Sequence, residues 1–340
     1  MSHISCYAAL SAKSLLSPYK IDRRKIGAND VEIAIDFCGV CHTDLHYIKN
    51  DWGITHYPVV PGHEIVGKVT SLGKEVKNLK IGQRVAAGYI GNSCQTCSSC
   101  RAGFEQYCLK GFSTIFNSPT KDLGGFAYGG YSKSIVVDDH YVLTVPNGLD
   151  PAGTAPLLCA GITTYSPLKN WGIKPGMTVG IIGLGGLGHM GVKLSHAMGA
   201  KTVMITTSIN KAVDAIKLGA DEVLISTDSG LMKAMANQFD FLLNTIPGPH
   251  DYNHYMGLLK VDGTMCIVGS IGPTAELNTE HLVYGRRRIA GSLVGGIKET
   301  QEMLYFCAKH QIIAEIEIIK MDEINQAYER MLKNDVKYRF

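Results

Sequence analysis

Four cysteines, Cys94, Cys97, Cys100 and Cys108, stand at C-x2-C-x2-C-x7-C spacing in a stretch rich in Gly, Ser and Asn. Four thiolates this near to one another can close a tetrahedral Zn2+ shell and leave no open coordination position. The site they predict is therefore structural, ordering a loop with no core of its own. Two disulfides or an iron–sulfur cluster are the competing uses. An intracellular setting speaks against the first, and the lack of any other redox-protein feature against the second. A second set of donors is dispersed. Cys41 lies in Gly39-Val40-Cys41-His42-Thr43-Asp44-Leu45-His46, and His63 and Glu64 follow in Pro61-Gly62-His63-Glu64. A catalytic zinc needs three protein ligands and one place for substrate. Cys41 and His63 offer two, and spacing alone does not identify the third. Taken singly, each of these residues is more often an ordinary packed side chain.

The segment Gly183-Leu184-Gly185-Gly186-Leu187-Gly188 fits G-x-G-x-x-G. It follows the apolar run 178–182 and opens a helix over 189–198, the context in which this pattern binds a dinucleotide. Gly183 permits the tight turn, Gly185 lets the backbone approach a pyrophosphate, and Gly188 lets helix and strand pack closely. The helix N-terminus then presents N–H groups and a positive dipole end to the phosphates. A purely structural glycine turn is the plainer alternative.

The end of the next strand separates NAD from NADP. An NAD-binding chain usually places Asp or Glu there for the ribose 2′-OH. Here the run 203–205 leads into Thr206-Thr207-Ser208-Ile209-Asn210-Lys211, and no carboxylate comes before Asp214. Three hydroxyls and an ammonium suit a 2′-phosphate, which a carboxylate would repel. The expected cofactor is NADP(H), with NAD the alternative. A polar turn with Ser208 capping the following helix is compatible with either.

These groups need two kinds of scaffold. Residues 1 to about 150 carry short β-branched runs broken by Gly, Pro and Asn, at 31–37, 66–72, 84–89 and 134–137, which predicts an irregular, mostly β unit. From Gly176 strands and helices alternate. Strands are expected at 178–182, 203–205, 222–225, 239–244, 264–268 and 289–293, with helices at 189–198, 211–218 and 299–309. That alternation predicts βαβ units on a parallel sheet. The tail reads as a strand at 312–319 and a helix at 322–332. The fold class is α/β.

The composition excludes several roles. The chain has 340 residues, 45% of them hydrophobic and 19% charged, enough for two cores and too apolar for disorder. Net charge is +3, and the one basic run, Arg286-Arg287-Arg288, is too short for a nucleic-acid surface. Residues 1–16 have polar interruptions and Lys13 where a signal peptide needs an apolar core, and no run reaches the ~20 apolar residues of a membrane span. The expectation is a cytoplasmic enzyme with a small-molecule partner, no nucleic acid and no membrane.

Gly62-His63-Glu64-x2-Gly67-x5-Gly73-x2-Val76 resembles the zinc alcohol dehydrogenase signature. With the Cys41 segment, the four-cysteine loop and the glycine turn, it is similar to the medium-chain zinc alcohol dehydrogenases. The branch resembled is that of the cinnamyl-alcohol-dehydrogenase-like, NADP-dependent aldehyde reductases. The segment 157–164 is similar to the one that carries that family's third zinc ligand. The resemblance implies a GroES-like catalytic domain from 1–155 and 293–340, and a Rossmann NADP-binding domain from 156–292. It implies two zinc ions per chain. Cys41, His63 and Cys159 would hold the catalytic one, with Glu64 beside the metal as an alternate ligand, and the four-cysteine loop the other. Asp44 would orient His63, and Thr43 and His46 would relay the proton by way of the cofactor ribose. Thr163, Thr245, Gly269 and Ser292 would line the cofactor channel.

The activity implied is hydride transfer between NADP(H) and a primary alcohol or aldehyde, running toward aldehyde reduction where the NADP pool is reduced. The implied assembly is a homodimer or homotetramer, with the strand at 289–293 as an edge open to pairing. The aromatic pattern of plant monolignol enzymes is not reproduced, which leaves the substrate open. Trp52 and Phe112 are candidate apolar walls or ordinary packing residues. Cys6, Cys38, Cys266 and Cys307 are read as buried and inert. The rival readings are a zinc-free quinone reductase of the same fold and a non-catalytic NADP-binding structural protein. Complete donor sets at both sites argue against each.

Overall fold

The computed structural model describes residues 3–120, 125–269, 272–273 and 276–340. The chain divides into two compact units, Met1–Cys159 with Gly295–Phe340, and Ala160–Val294. Cys159, which the sequence-derived boundary put with the nucleotide domain, closes the first unit.

The first unit is built on antiparallel strands. A hairpin pairs His3–Ala8 with Ser17–Asp22. A five-stranded sheet runs in the order Ser134–Asp138, Asp30–Cys38, Ile65–Leu72, Arg84–Ala87 and Leu143–Thr144. Alternate residues of each strand face one side, so the β-branched positions supply one apolar layer. Ile33, Ile65, Val85 and Ile135, from four of these strands, are at most 2% exposed. The helices Ile297–His310 and Ile324–Leu332 also belong here and bury Met303, Leu304, Ala327 and Tyr328. The stretch 312–319, expected as a strand, is not one. Its ladder contact among the described residues is the isolated parallel bridge Ile316–Arg339. Its backbone finds irregular partners instead, Ala314 N–H donating to the Gly153 carbonyl and Glu317 N–H to that of Arg339. Of its isoleucines Ile312 is buried, while Ile318 is 71% exposed.

The second unit is a six-stranded parallel sheet. Its order is Glu222–Ile225, Lys201–Thr206, Thr178–Ile182, Phe239–Asn244, Leu259–Ile267 and Arg288–Gly291. Counted along the chain this is 3-2-1-4-5-6, the doubly wound arrangement whose ligand crevice lies at the carboxyl ends beside the first strand. Phe239, Leu242, Val203, Ile205 and Met265 fill its core. Among the described residues, Arg288–Gly291 pairs on one side only and forms an edge. The basic run beside it is used locally. Arg286 pairs with Asp262, and Arg287 donates to Asn237 and to the Leu259 carbonyl. No helix of the described residues is long and apolar enough to cross a membrane.

Candidate metal and cofactor sites

The four-cysteine loop brings its sulfurs together, every pair within 4.8 Å. Cys94 and Cys100 Sγ are 3.9 Å apart. A tetrahedron with ~2.3 Å metal–sulfur arms has edges of about 3.8 Å, whereas a disulfide needs ~2.05 Å. None of the ten cysteines is in a disulfide. Backbone donors already address the sulfurs: Cys97 N–H reaches Cys94 Sγ at 3.3 Å, and Cys100 and Leu109 N–H reach Cys97 Sγ at 3.5 Å. The N–H and hydroxyl of Thr96, with the N–H of Cys97, hold the Cys94 thiol down to about 5. The N–H groups of Cys100 and Leu109 lower Cys97 likewise. Hydrogen bonds of this kind favour the thiolate, the form that binds metal. The geometry and the chemistry both fit Zn2+.

The dispersed donors also converge. Cys41, His63, Glu64 and Cys159 are buried, with one ligand atom from each within 4.8 Å of all the others. Cys41 and Cys159 Sγ lie 3.8 Å apart, again a tetrahedral edge. Cys41 precedes the helix His42–Lys49, whose first turn carries Asp44. An acid in that turn is favoured by the exposed N–H groups. Its carboxylate accepts from Cys41 N–H at 3.1 Å and Gly62 N–H at 2.9 Å, and its Oδ1 is 2.9 Å from His63 Nδ1. One carboxylate therefore ties together the two segments that carry ligands. A carboxylate only accepts, so Nδ1 holds the ring proton and Nε2 keeps its lone pair. That Nε2 is buried with no hydrogen-bond partner. A buried orphan nitrogen facing two thiols is costly alone and satisfied by a metal. The site fits Zn2+.

Glu64 carries a feature the sequence reading lacked. Its Oε1 is bound by Arg339, itself only 6% exposed, while Oε2 has no partner. Burial pushes the Glu64 carboxyl up to about 7, against the lowering pull of Arg339. Gly39 makes room for this carboxylate, since a Cβ there would stand 1.9 Å from Oε2. The partner is 275 positions from Glu64, a separation no local pattern can reveal. Asp51 was also missed: His46 Nδ1 is 2.8 Å from its Oδ2. Thr43 is half-buried on the same helix.

Aromatic rings crowd this centre. Tyr89 and Phe116 lie 5.4 and 5.9 Å from the His63 ring. Trp52 packs on His46 and Tyr47 at 5.1 and 5.3 Å, and Phe112 packs on Tyr89 at 6.0 Å. Of the remaining cysteines, Cys6, Cys266 and Cys307 are buried, and Cys38 is only partly so, a departure from the sequence expectation. Burial lifts Cys6 to about 11 and Cys266 to about 12, which keeps both thiols protonated.

In the second unit the glycines differ in what they permit. Gly183 has φ +91, and a Cβ on Gly188 would lie 1.9 Å from the Gly183 carbonyl oxygen. A Cβ on Gly185 would meet nothing within 4 Å, so open space stands over the backbone there. Leu184 is buried, and Gly186 and Leu187 are half-buried. Gly183, Thr206, Thr245, Gly269 and Ser292 each lie at the carboxyl end of a parallel strand, on one rim of the sheet. Thr245 hydroxyl donates to the Ile182 and Gly183 carbonyls at 2.8 and 3.0 Å, and Gly269 packs on the Thr245 backbone. Ser292 N–H bonds to the Ile267 carbonyl, while Thr163 is buried in the helix Ala160–Asn170. Lys211 Nζ donates to the Leu184 carbonyl at 3.0 Å, linking the two turns a dinucleotide would touch. Thr207 is exposed. Ser208 makes no side-chain cap, contrary to the sequence reading; its N–H bonds to Thr206 Oγ1 at 3.3 Å.

Residues 27–147 match the family described as alcohol dehydrogenase GroES-like domain, and residues 186–309 match zinc-binding dehydrogenase. The chain is 52% identical to the aldehyde reductase YahK of Escherichia coli over 99% of its own length and 97% of that protein. It is 48% identical to NADP-dependent alcohol dehydrogenase C 1 of Mycolicibacterium smegmatis, over 100% and 97%. Among solved structures it is similar to a cinnamyl alcohol dehydrogenase of Sorghum bicolor, with TM-score 0.96, 43% identity and coverage of 100% and 97%. It is also similar to the Helicobacter pylori cinnamyl alcohol dehydrogenase complexed with NADP(H), with TM-score 0.92, 37% identity and coverage of 99% and 96%. The family matches, and the identity to these relatives over nearly the whole chain, agree with the GroES-like unit, its two donor clusters and the doubly wound sheet found here, and the chain belongs to the zinc-binding alcohol dehydrogenase family.

Proposed function

We propose that the protein is an NADP(H)-linked zinc alcohol dehydrogenase that interconverts aldehydes and primary alcohols in the cytoplasm. The observation that carries this is His63 Nε2, buried and unpartnered beside the Cys41 and Cys159 thiols. Cys41, His63 and Cys159 would hold the metal, and Cys94, Cys97, Cys100 and Cys108 the structural ion. When bound, zinc supplies a Lewis acid for the substrate oxygen, and the nicotinamide supplies or accepts the hydride. The chain's own groups do the rest. Asp44 fixes the tautomer and orientation of His63 and raises its basicity. Thr43 hydroxyl holds the proton exchanged with the substrate oxygen. His46 passes it to water, with Asp51 steadying the ring through Nδ1 and leaving Nε2 to exchange. The glycine turn would take the pyrophosphate, and Thr206, Thr207, Ser208 and Lys211 the 2′-phosphate. Thr163, Thr245, Gly269 and Ser292 would line the rest of the cofactor path. The names of the relatives support both the NADP preference and the aldehyde chemistry.

The test is a steady-state screen of aliphatic and aromatic aldehydes with NADPH and NADH. The reading expects turnover with NADPH and poor use of NADH. Equal kcat/KM with the two cofactors, or no turnover of any aldehyde by zinc-replete protein, overturns it. The edge strand Arg288–Gly291 is the proposed dimer seam. Light scattering that reports a monomer at micromolar concentration removes that part of the proposal.

A further inference from the structure

The first unit contains a cavity of about 700 Å³ whose lining includes none of the metal-site donors. Its floor is the hairpin together with the edge it pairs with. Lys20 stands opposite Ser5, and Pro18 opposite Tyr7. Lys133 N–H donates to the Ser5 carbonyl at 3.1 Å, Tyr7 N–H to Tyr131 at 2.9 Å, and Ile35 N–H to Lys133 at 3.0 Å. Directly paired residues share a face, as do residues two apart. One face therefore carries two adjacent rows, the apolar Pro18–Tyr7–Tyr131 and the polar Lys20–Ser5–Lys133. The opposing wall is apolar: Ile316, Ile318, Ile319, Met321, Ile324 and Phe340.

The charges at the mouth are uneven. Lys20 and Lys133 are both exposed, and neither has an ion-pair partner among the described residues. Glu317 is already bound to Arg330 at 2.8 Å. Asp36 is the remaining carboxylate of the lining, so two free ammonium groups face one free acid. Strand spacing puts the backbones of Lys20 and Lys133 about 10 Å apart across Ser5, too near for like charges to be indifferent and close enough for both side chains to meet one anion.

We propose that this cavity binds a small amphipathic carboxylate. The apolar body lies between the Tyr7–Tyr131 row and the isoleucine wall, and the carboxylate sits over Ser5, between the two ammonium groups. The volume lies within the ~300–1,000 Å³ of small-molecule sites, and an apolar lining with a few convergent polar groups is their usual composition. The floor also reaches the metal centre through the backbone. Cys38, Gly39 and Val40 line it immediately before Cys41, and Val40 N–H donates to the carbonyl of the lining residue Phe340 at 3.0 Å. Phe340 follows Arg339, the partner of Glu64. An occupant thus touches the chain on both sides of the Glu64–Arg339 pair.

Calorimetric titration of zinc-loaded, NADPH-saturated protein with decanoate, decanamide and decylammonium tests this. Decanoate should bind, and the amide and the amine should bind at least roughly tenfold more weakly, as expected for charge-assisted contacts. Lys20→Gln with Lys133→Gln should weaken decanoate by roughly tenfold or more and leave kcat/KM for an aldehyde at the wild-type value. That second readout separates the cavity from carboxylate binding at the metal. Ile318→Glu should also weaken decanoate. No binding up to about 10 mM, or decanoate affinity unchanged in the double variant, overturns the proposal. So does an Ile318→Glu shift in oligomeric state by light scattering, which would make this wall a contact between copies of the chain.

Discussion

Asp44 and His63 are joined by a 2.9 Å bond between Oδ1 and Nδ1, and neither side chain is exposed to solvent at all. The acid also accepts from Cys41 and Gly62 N–H. Replacing Asp44 by Asn keeps the volume and removes the charge and the enforced tautomer. Losing such a partner of a ligating His typically costs 10–100-fold in metal affinity or activity. Asp44→Asn should show that loss in chelator competition and in kcat, while circular dichroism stays native. Unchanged zinc retention would mean that Asp44 serves only to join two loops.

Metal content separates the two clusters. Untreated protein should contain two zinc ions per chain by elemental analysis. Cys159→Ala should lose turnover and keep its fold, because the buried cluster lies within a formed core. Cys97→Ala should lose one zinc and melt at a lower temperature, because the four-cysteine loop has little besides its metal to order it. One ion or none in untreated, folded protein would sink the two-site reading.

Cofactor preference rests on the turn after the strand Lys201–Thr206. A charged contact to a 2′-phosphate contributes roughly 1.5–3 kcal/mol, so Lys211→Ala should raise the NADPH KM about ten- to a hundredfold and barely change that for NADH. Lys211 also bonds to the Leu184 carbonyl, so a purely structural role predicts equal loss with both cofactors. Thr206→Asp should shift the preference further, by repelling phosphate and accepting from a free ribose hydroxyl. Measured kcat/KM for both cofactors in the three proteins distinguishes these outcomes.

The pair His140–Glu105 should make stability depend on pH. The bond to Glu105 raises the His140 titration above its ordinary 6.5 despite burial. Burial works to raise Glu105, but His140 and the Ile297 N–H more than offset it, and the carboxyl titrates below its ordinary 4.5. A raised imidazole stabilises fully below its unfolded value, and that support is lost as pH rises through the folded one. A lowered carboxyl stabilises above its unfolded value, and that support is lost as pH falls through the folded one. The pair therefore contributes most between about pH 5 and 6. His140 is 39% exposed, so solvent screening keeps the effect small. His140→Gln should lower Tm by about 1–3 °C at pH 5.5 and by less at pH 8.5. An equal drop at both values would show that the pairing does not depend on the imidazolium.

What the sequence made legible follows how local each signal is. The four cysteines span one short loop, so their spacing alone announced a closed metal shell. The glycine turn was readable because each glycine answers a constraint within a few residues, as the Gly188–Gly183 contact shows. Cys159 lies 118 positions from Cys41 and could be placed only through family resemblance. Arg339 and Asp51 escaped notice because a basic or acidic side chain declares nothing until its partner is known. The run 312–319 misled because β-branched residues also suit half-buried surface outside any ladder, as the cavity wall at Ile316, Ile318 and Ile319 shows.

The bond between Glu64 and Arg339 also bears on how the protein is made. The partners are 275 positions apart, and Cys159 lies between them in the chain. At roughly 5–20 residues per second, a ribosome would expose Cys41 and His63 many seconds before Arg339 could reach Glu64. Through that interval the two ligands would be present while Arg339, the cation that offsets the Glu64 charge, is still missing. Metal captured early would meet an incomplete, more anionic cluster that is still open to exchange. The guanidinium joins later than any of the cluster's own donors, so the charge on Glu64 is balanced only once the chain has been made as far as Arg339.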